Sequence, residues 1–261
     1  MSTKFYKYQA TGNDFVLIDN RLKTFDKNDT KLISRLCNRN FGIGADGLIL
    51  VEEEKEFDFR MVYFNSDGKQ SSMCGNGGRS VVSFAKRLNI IQNTATFVAI
   101  DGTHQAFIED NFIKLKMNDV DEININNGDY ILDTGSPHFV SLKKNVSDID
   151  VKKLGYAIRN MDIFKKKGIN VNFVEHVGDN TFFVRTYERG VESETLSCGT
   201  GATAVAIAMH SSGKTSKNKI RLNTLGGPLE VHFNENESIY KDIWLCGTSE
   251  FIFEGILNYD Y

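Results

Sequence analysis

The sequence predicts an α+β protein of two pseudo-symmetric domains, each a mostly antiparallel β-sheet or barrel wrapped around a central helix. Three observations carry this reading: an internal repeat, two helix starts with one Cys-Gly-polar-Gly pattern, and helices apolar on too many sides for a surface position. Thr11-Gly12-Asn13-Asp14-Phe15-Val16 has a counterpart in Thr134-Gly135-Ser136-Pro137-His138-Phe139-Val140, the two glycines lying 123 positions apart. Met73-Cys74-Gly75-Asn76-Gly77 matches Ser197-Cys198-Gly199-Thr200-Gly201, with the cysteines 124 apart. A weaker echo relates Phe41-Gly42-Ile43-Gly44 to Gly168-Ile169-Asn170 at a spacing of 126. Matches in one order at nearly one spacing indicate a duplicated unit. Each half then has a size that suits one domain. The boundary is expected in the polar stretch 118–128, which has no apolar periodicity. This gives an N-terminal half 1–118 carrying Cys74 and a C-terminal half 119–249 carrying Cys198, with 250–261 rejoining the first.

Residues 15–19, 47–51, 59–64 and 182–187 are alternating or continuous apolar runs and read as strands. Residues 32–37 follow a helical pattern with Cys37 on its apolar side. Each Cys-Gly segment opens a helix, and after each helix comes a strand-Gly-strand pattern that reads as a hairpin. The first hairpin covers 96–108 around Asp101-Gly102, and the second 220–233 around Gly226-Gly227. Residues 202–209 (Ala-Thr-Ala-Val-Ala-Ile-Ala-Met) are apolar nearly all round, so that helix must be buried on every side. Val81, Val82, Phe84, Ala85 and Leu88 give the first helix a broad apolar face too.

Composition excludes several classes. A net charge of −3, from 31 basic and 34 acidic residues, gives no electrostatic case for nucleic acid or an anionic membrane. The short lysine clusters at 165–167 and 214–219 read as solvated loop or helix-end charge. No apolar run reaches bilayer length, and the N-terminus lacks the zones of a signal peptide, so a cytoplasmic location is expected. Four cysteines without a C-x-x-C pair suggest neither a disulfide framework nor a common zinc site.

The chemistry lies in the two Cys-Gly segments. The first amides of a helix have no partner within it, and they carry roughly half a positive charge together. Glycine lets a ligand approach that backbone closely. The amides of Gly75 and Asn76, and of Gly199 and Thr200, can therefore hold a carboxylate. The same field lowers a thiol pKa from about 8.5 into a range of roughly 3.5–7.5. A lone cysteine at a helix start is often just a small packing residue. Two at equivalent places in a duplicated fold suit a reaction that removes a proton from one face of a carbon and returns one to the other. The carbanion formed between them is delocalised into a carboxylate that the helix starts stabilise. Cys37 and Cys246, in an apolar helical and an apolar strand-like setting, read as packing residues.

These residues also carry a resemblance. Met73-Cys74-Gly75-Asn76-Gly77-Gly78-Arg79, and Glu188-Arg189-Gly190 followed by Ser197-Cys198-Gly199-Thr200-Gly201, resemble the two signature segments of the diaminopimelate epimerase family. Ala10-Thr11-Gly12-Asn13-Asp14-Phe15 and Phe64-Asn65-Ser66-Asp67-Gly68 resemble two further motifs of that family. The resemblance spans about residues 4 to 255. It implies epimerisation of LL-2,6-diaminopimelate to the meso form, in the pathway to lysine and peptidoglycan precursors, with Cys74 and Cys198 as thiolate base and thiol acid. It implies His138 and Glu188 as supports of the catalytic centre. It also implies Asn13, Asn65, Gly75, Asn76, Asn170, Glu188, Arg189, Gly199 and Thr200 as substrate-binding positions. Ser136 joins them, standing where many relatives have an asparagine; it is shorter and offers fewer hydrogen bonds. Gly47 stands where some relatives have glutamine. The resemblance implies no cofactor and no metal, a small-molecule substrate, and no nucleic-acid or membrane partner, and it admits a homodimer.

Two rival readings share the thiol pair. A proline or hydroxyproline racemase would have little use for the Asn65, Asn170, Glu188 and Arg189 set. A redox-sensing binding module would join Cys74 and Cys198 in a regulatory disulfide. A dinucleotide-binding reading of Gly42-Ile43-Gly44-Ala45-Asp46-Gly47 fails, because a helical pattern precedes the glycines and a strand pattern follows them.

Overall fold

The computed structural model describes residues 2–258; the last three positions of the 250–261 segment lie outside the described residues. The chain divides into two compact units, Met1–Leu115 with Thr248–Tyr261, and Lys116–Gly247.

The first unit is built from β1 (Ser2–Ala10), β2 (Asn13–Asp19), α1 (Thr30–Cys37), β3 (Gly47–Glu52), β4 (Phe59–Asn65), α2 (Gly75–Arg87), β5 (Thr94–Ala99), β6 (Gly102–Glu109) and β7 (Phe112–Lys116), together with the last strand, β17 (Glu250–Asn258). Its sheet order is β17-β1-β2-β3-β4-β5-β6-β7; only β2–β3 and β4–β5 are parallel. Thr11 and Gly12, at φ of 48° and 82°, close the β1–β2 hairpin between the paired residues Ala10 and Asn13. A two-residue loop with positive φ at both positions matches the twist of the strands it joins. β3 is buried along its whole length, with α1 and α2 both packed on it. That explains its unbroken apolar run, since a strand covered on both faces does not alternate. Against α2 lie β1, β2, β3 and β6.

The second unit contains β8 (Ile123–Asn126), β9 (Asp129–Asp133), β10 (Pro137–Leu142), a 3₁₀ turn (Val146–Asp148), α3 (Val151–Arg159), β11 (Asn170–Gly178), β12 (Thr181–Glu188), β13 (Ser193–Thr195), α4 (Gly199–Ser211), β14 (Lys219–Thr224), β15 (Gly227–Asn236) and β16 (Ile239–Thr248). Its order is β8-β9-β10-β11-β12-β14-β15-β16, with β13 paired to β12 as a spur; only β10–β11 and β12–β14 are parallel. The sense of every pairing repeats that of the first unit in sequence. Helix α4 is buried on nearly all sides, against strands β9 to β12, β14 and β15. This is the two-fold repeated α+β architecture that the sequence spacing implied. Both expected hairpins, β5–β6 and β14–β15, are present.

Register corrects one detail of the repeat. Phe15 pairs with Gly47 across β2–β3, and His138 pairs with Asn170 across β10–β11. With Phe15 matched to His138, the counterpart of Asn170 is Gly47, at a spacing of 123. Gly47 has its own reason: a Cβ there would lie 2.5 Å from the Tyr63 ring and 2.7 Å from the Phe64 carbonyl oxygen.

Near the β1–β2 turn, Asp14 accepts from Arg39 (2.8 Å) and faces Lys7 at 2.6 Å. Despite the opposing effect of burial, these two cations draw its carboxyl from 3.8 down to about 2. A depressed carboxylate stabilises the fold above its unfolded pKa, and that contribution is lost as pH falls through the folded value. The midpoint of urea unfolding is expected to fall as pH drops from 3.8 to about 2. Asp14→Asn should be less stable than the parent at pH 7 and should flatten that part of the profile.

Candidate active site

Cys74 and Cys198 are the N-cap residues of α2 and α4, both in extended conformation and neither making a side-chain capping bond. Their carbonyls start the helices, accepting from Gly78 N at 2.7 Å and Ala202 N at 2.9 Å. Cys74 is half-buried and Cys198 is 9% exposed. Each helix thus presents its first-turn amides, those of Gly75 and Asn76 or of Gly199 and Thr200, beside a sulfur. Cys37 is buried in α1, and burial pushes its thiol up to about 12, so it is inert at neutral pH. Cys246 is buried in β16.

Around Cys74 the first unit gathers Asn13 and Asn76. Cys74 Sγ lies 3.6 Å from Asn13 Oδ1, to which Asn76 Nδ2 donates at 3.3 Å. Asn13 Nδ2 donates to Asp46 Oδ2 at 2.6 Å. Below them Arg79, fully buried, donates to Asn76 Oδ1 (3.0 Å), Thr11 Oγ1 (3.1 Å) and the Gly75 carbonyl (3.4 Å). Asn65 stands exposed at the end of β4, paired with Gly47, and its backbone closes the turn to Gly68 and Lys69.

The second unit places His138 beside the other elbow. His138 Nε2 is 2.9 Å from Thr200 Oγ1, which is 3.4 Å from Cys198 Sγ. Complete burial, reinforced by the Arg189 charge, holds the imidazole pKa down to about 3. It is therefore neutral at working pH. A second cluster joins Ser136, Asn170 and Arg189. Asn170 Nδ2 donates to Ser136 Oγ at 2.9 Å, Arg189 Nη2 donates to the same oxygen at 3.3 Å, and Arg189 N donates to Asn170 Oδ1 at 3.0 Å. Glu188, next along β12, accepts from Thr195 Oγ1 at 2.6 Å. A guanidinium, a carboxylate and two short polar side chains suit the charged groups of an amino acid.

Sequence reasoning passed over Thr11, Asp46, Arg79, Asn172 and Thr186. The signals were faint: Arg79 sits one helical turn after Gly75, and Asn172 is a second polar residue on one face of an apolar strand. Asn172 is 0% exposed.

Comparisons with known proteins follow the same lines. In fold the chain matches a protein described as a probable proline racemase from Agrobacterium radiobacter (TM-score 0.72, 13% identity, covering 99% of this chain and 93% of the other). It likewise matches a Bacillus anthracis protein of the phenazine biosynthesis PhzF family (TM-score 0.78, 13% identity, 99% and 100%). A hydroxyproline epimerase from Agrobacterium vitis has the fold as well (TM-score 0.71, 12% identity, 98% and 92%). The architecture is thus one that racemases and epimerases share with PhzF-type proteins. Within it, the profile of the diaminopimelate epimerase family matches residues 5–121 and 130–243. The diaminopimelate epimerase of Flavobacterium psychrophilum is 58% identical over 252 residues, 96% of this chain and 98% of its own length. That of Aquifex aeolicus is 40% identical over 275 residues, 98% of each. The chain belongs to the diaminopimelate epimerase family.

Proposed function

We propose that the protein epimerises LL-2,6-diaminopimelate to meso-diaminopimelate, with Cys74 and Cys198 as a two-base pair. The observation that carries this is the repeated elbow: a cysteine as the N-cap of each of two equivalent buried helices, in a chain 58% identical to a diaminopimelate epimerase. Inverting a stereocentre requires proton carriers on both faces of Cα. One thiolate takes the Cα proton, and the electron pair of the broken C–H bond moves into the carboxylate. First-turn amides of Gly75, Asn76, Gly199 and Thr200 stabilise the charge that develops there. The second thiol then gives its proton to the opposite face, so the two sulfurs exchange protonation states each turnover. Asn13, Asn65, Ser136, Asn170, Glu188 and Arg189 supply the polar groups for a substrate with an amino-acid end beyond the reacting one. A reducing compartment such as the cytoplasm fits this reading, because both sulfurs must stay reduced.

Incubation with LL-diaminopimelate in deuterated water tests it. Deuterium is expected at Cα, with the meso form accumulating under reducing conditions. Exchange into proline instead, or into no amino acid at all, would overturn the assignment.

A further inference from the structure

The helix fields do not distinguish the two sulfurs. Helices α2 and α4 are each 13 residues long, and each begins at a cysteine N-cap of similar conformation. Burial is greater at Cys198 and by itself disfavours a thiolate there; against it acts the sense of the hydrogen bonds reaching each sulfur. At Cys74 one-way groups present a fixed acceptor, whereas at Cys198 they leave a hydroxyl hydrogen available to the sulfur.

On the Cys198 side, the Phe139 carbonyl can only accept, so the Asn172 atom 3.0 Å from it is the amide nitrogen. Thr186 Oγ1, donating to Asn172 Oδ1 at 2.9 Å, agrees. Asn172 Nδ2 also lies 3.1 Å from His138 Nδ1, which must therefore carry its lone pair there. A neutral imidazole has one proton, so it sits on Nε2 and is donated to Thr200 Oγ1. The threonine hydroxyl accepts from histidine, which leaves its own hydrogen available to Cys198 Sγ, 3.4 Å away. A sulfur that receives a hydrogen bond is favoured as thiolate.

On the Cys74 side, Arg79 can only donate and the Asp46 carboxylate can only accept. Between them Asn76 and Asn13 form a chain, Arg79 to Asn76 Oδ1, Asn76 Nδ2 to Asn13 Oδ1, and Asn13 Nδ2 to Asp46. The charged ends leave neither amide free to flip. Cys74 Sγ consequently meets a fixed acceptor, Asn13 Oδ1, to which only the protonated thiol can donate. The chain's cation and carboxylate act on the sulfur in opposite senses, as do Asp14 and Arg39 beside Asp46. On the other side the Arg189 charge acts on the His138 that donates to Thr200.

We propose that in the ligand-free protein Cys198 is the thiolate and Cys74 the thiol, an order set by Asn172, His138 and Thr200 as positioning residues. The inference rests on the reading of both thiols as the acid/base pair. It makes the resting protein ready to take a proton from the face of Cα that meets Cys198.

The test measures initial rates of iodoacetamide alkylation at each cysteine against pH, by peptide mass mapping, each normalised to its own plateau so that accessibility cancels. The midpoint for Cys198 is expected about one pH unit or more below that for Cys74, a tenfold difference in thiolate equilibrium. Thr200→Val should raise the Cys198 midpoint by a similar amount and leave the Cys74 midpoint in place, and Thr200→Ser should restore it. A purely structural Thr200 would move neither midpoint selectively. A Cys74 midpoint equal to or below that of Cys198 would overturn the proposal, and the parent protein alone decides this if a variant does not fold. No substrate is present, so a wrong order of acidity and an absence of epimerase activity are seen separately.

Discussion

Replacing either Cys74 or Cys198 by alanine is expected to lower epimerisation by about 10³-fold or more, toward the upper range for loss of one general acid–base group. Each substitution removes one of the two proton carriers, so the stereocentre can be opened or closed from one face only. The thermal midpoint should barely move for the half-buried Cys74, and only modestly for the more buried Cys198. Neither cysteine side chain caps its helix, and the cap residue's carbonyl, which starts the helix, is retained in alanine. This separation of activity from stability marks a chemical role. Cys37→Ala and Cys246→Ala should do the reverse, because both side chains are buried and packed. Their truncation costs stability through lost contacts while leaving turnover per folded molecule near that of the parent. Measuring epimerisation and thermal unfolding on the four variants decides the matter. Full epimerase activity in either Cys74→Ala or Cys198→Ala would exclude the two-base reading.

The fold and the cysteine pair were legible in the sequence for the same reason. Duplication wrote the pattern twice, and a cysteine N-cap followed by a glycine-rich first turn leaves a compact signature. What lay beyond reach were partners set by strand register. Asn172 reads as an isolated polar residue in an apolar run, and only the parallel pairing of β10 with β11 puts its amide on His138 and the Phe139 carbonyl. Asp46 is similar, being 33 positions from Asn13 and joined to it only across a β2–β3 connection. Register also brings out a difference between the two halves. Where the second unit carries Asn170 and Glu188 flanking the Val171–Tyr187 pair, the first pairs Gly47 with Asn65. The glycine there yields to the Tyr63 ring. A repeat that preserves backbone topology need not preserve the polar groups mounted on it, and here the charged residues proposed for substrate binding, Glu188 and Arg189, lie in the second half.

That divergence predicts opposite outcomes for one substitution at two equivalent places. Gly77 and Gly201 each occupy the third position of their helix. Alanine at either removes a glycine from a helix, which by itself favours folding by up to about 1 kcal/mol. At Gly77 a Cβ would meet only apolar side-chain ends, Ile49 Cδ1 at 3.3 Å, Met61 Cε at 3.5 Å and Phe15 Cε1 at 3.6 Å. Those can shift by tenths of an ångström, so Gly77→Ala should be neutral or slightly stabilising. At Gly201 the added atom would lie 2.5 Å from Asn172 Oδ1 and 3.2 Å from Cys198 Cβ. Asn172 cannot retreat without breaking its bonds to Thr186, the Phe139 carbonyl and His138. Overpacking of that kind costs about 1–3 kcal/mol. Displacing the amide also removes the group that fixes the His138 tautomer. Gly201→Ala is therefore expected to unfold at lower denaturant concentration than the parent and to lose at least about tenfold in turnover, as loss of a positioned proton-transfer network does. Equal stability and activity in the two variants would mean that the space beside Cys198 is not held by Asn172.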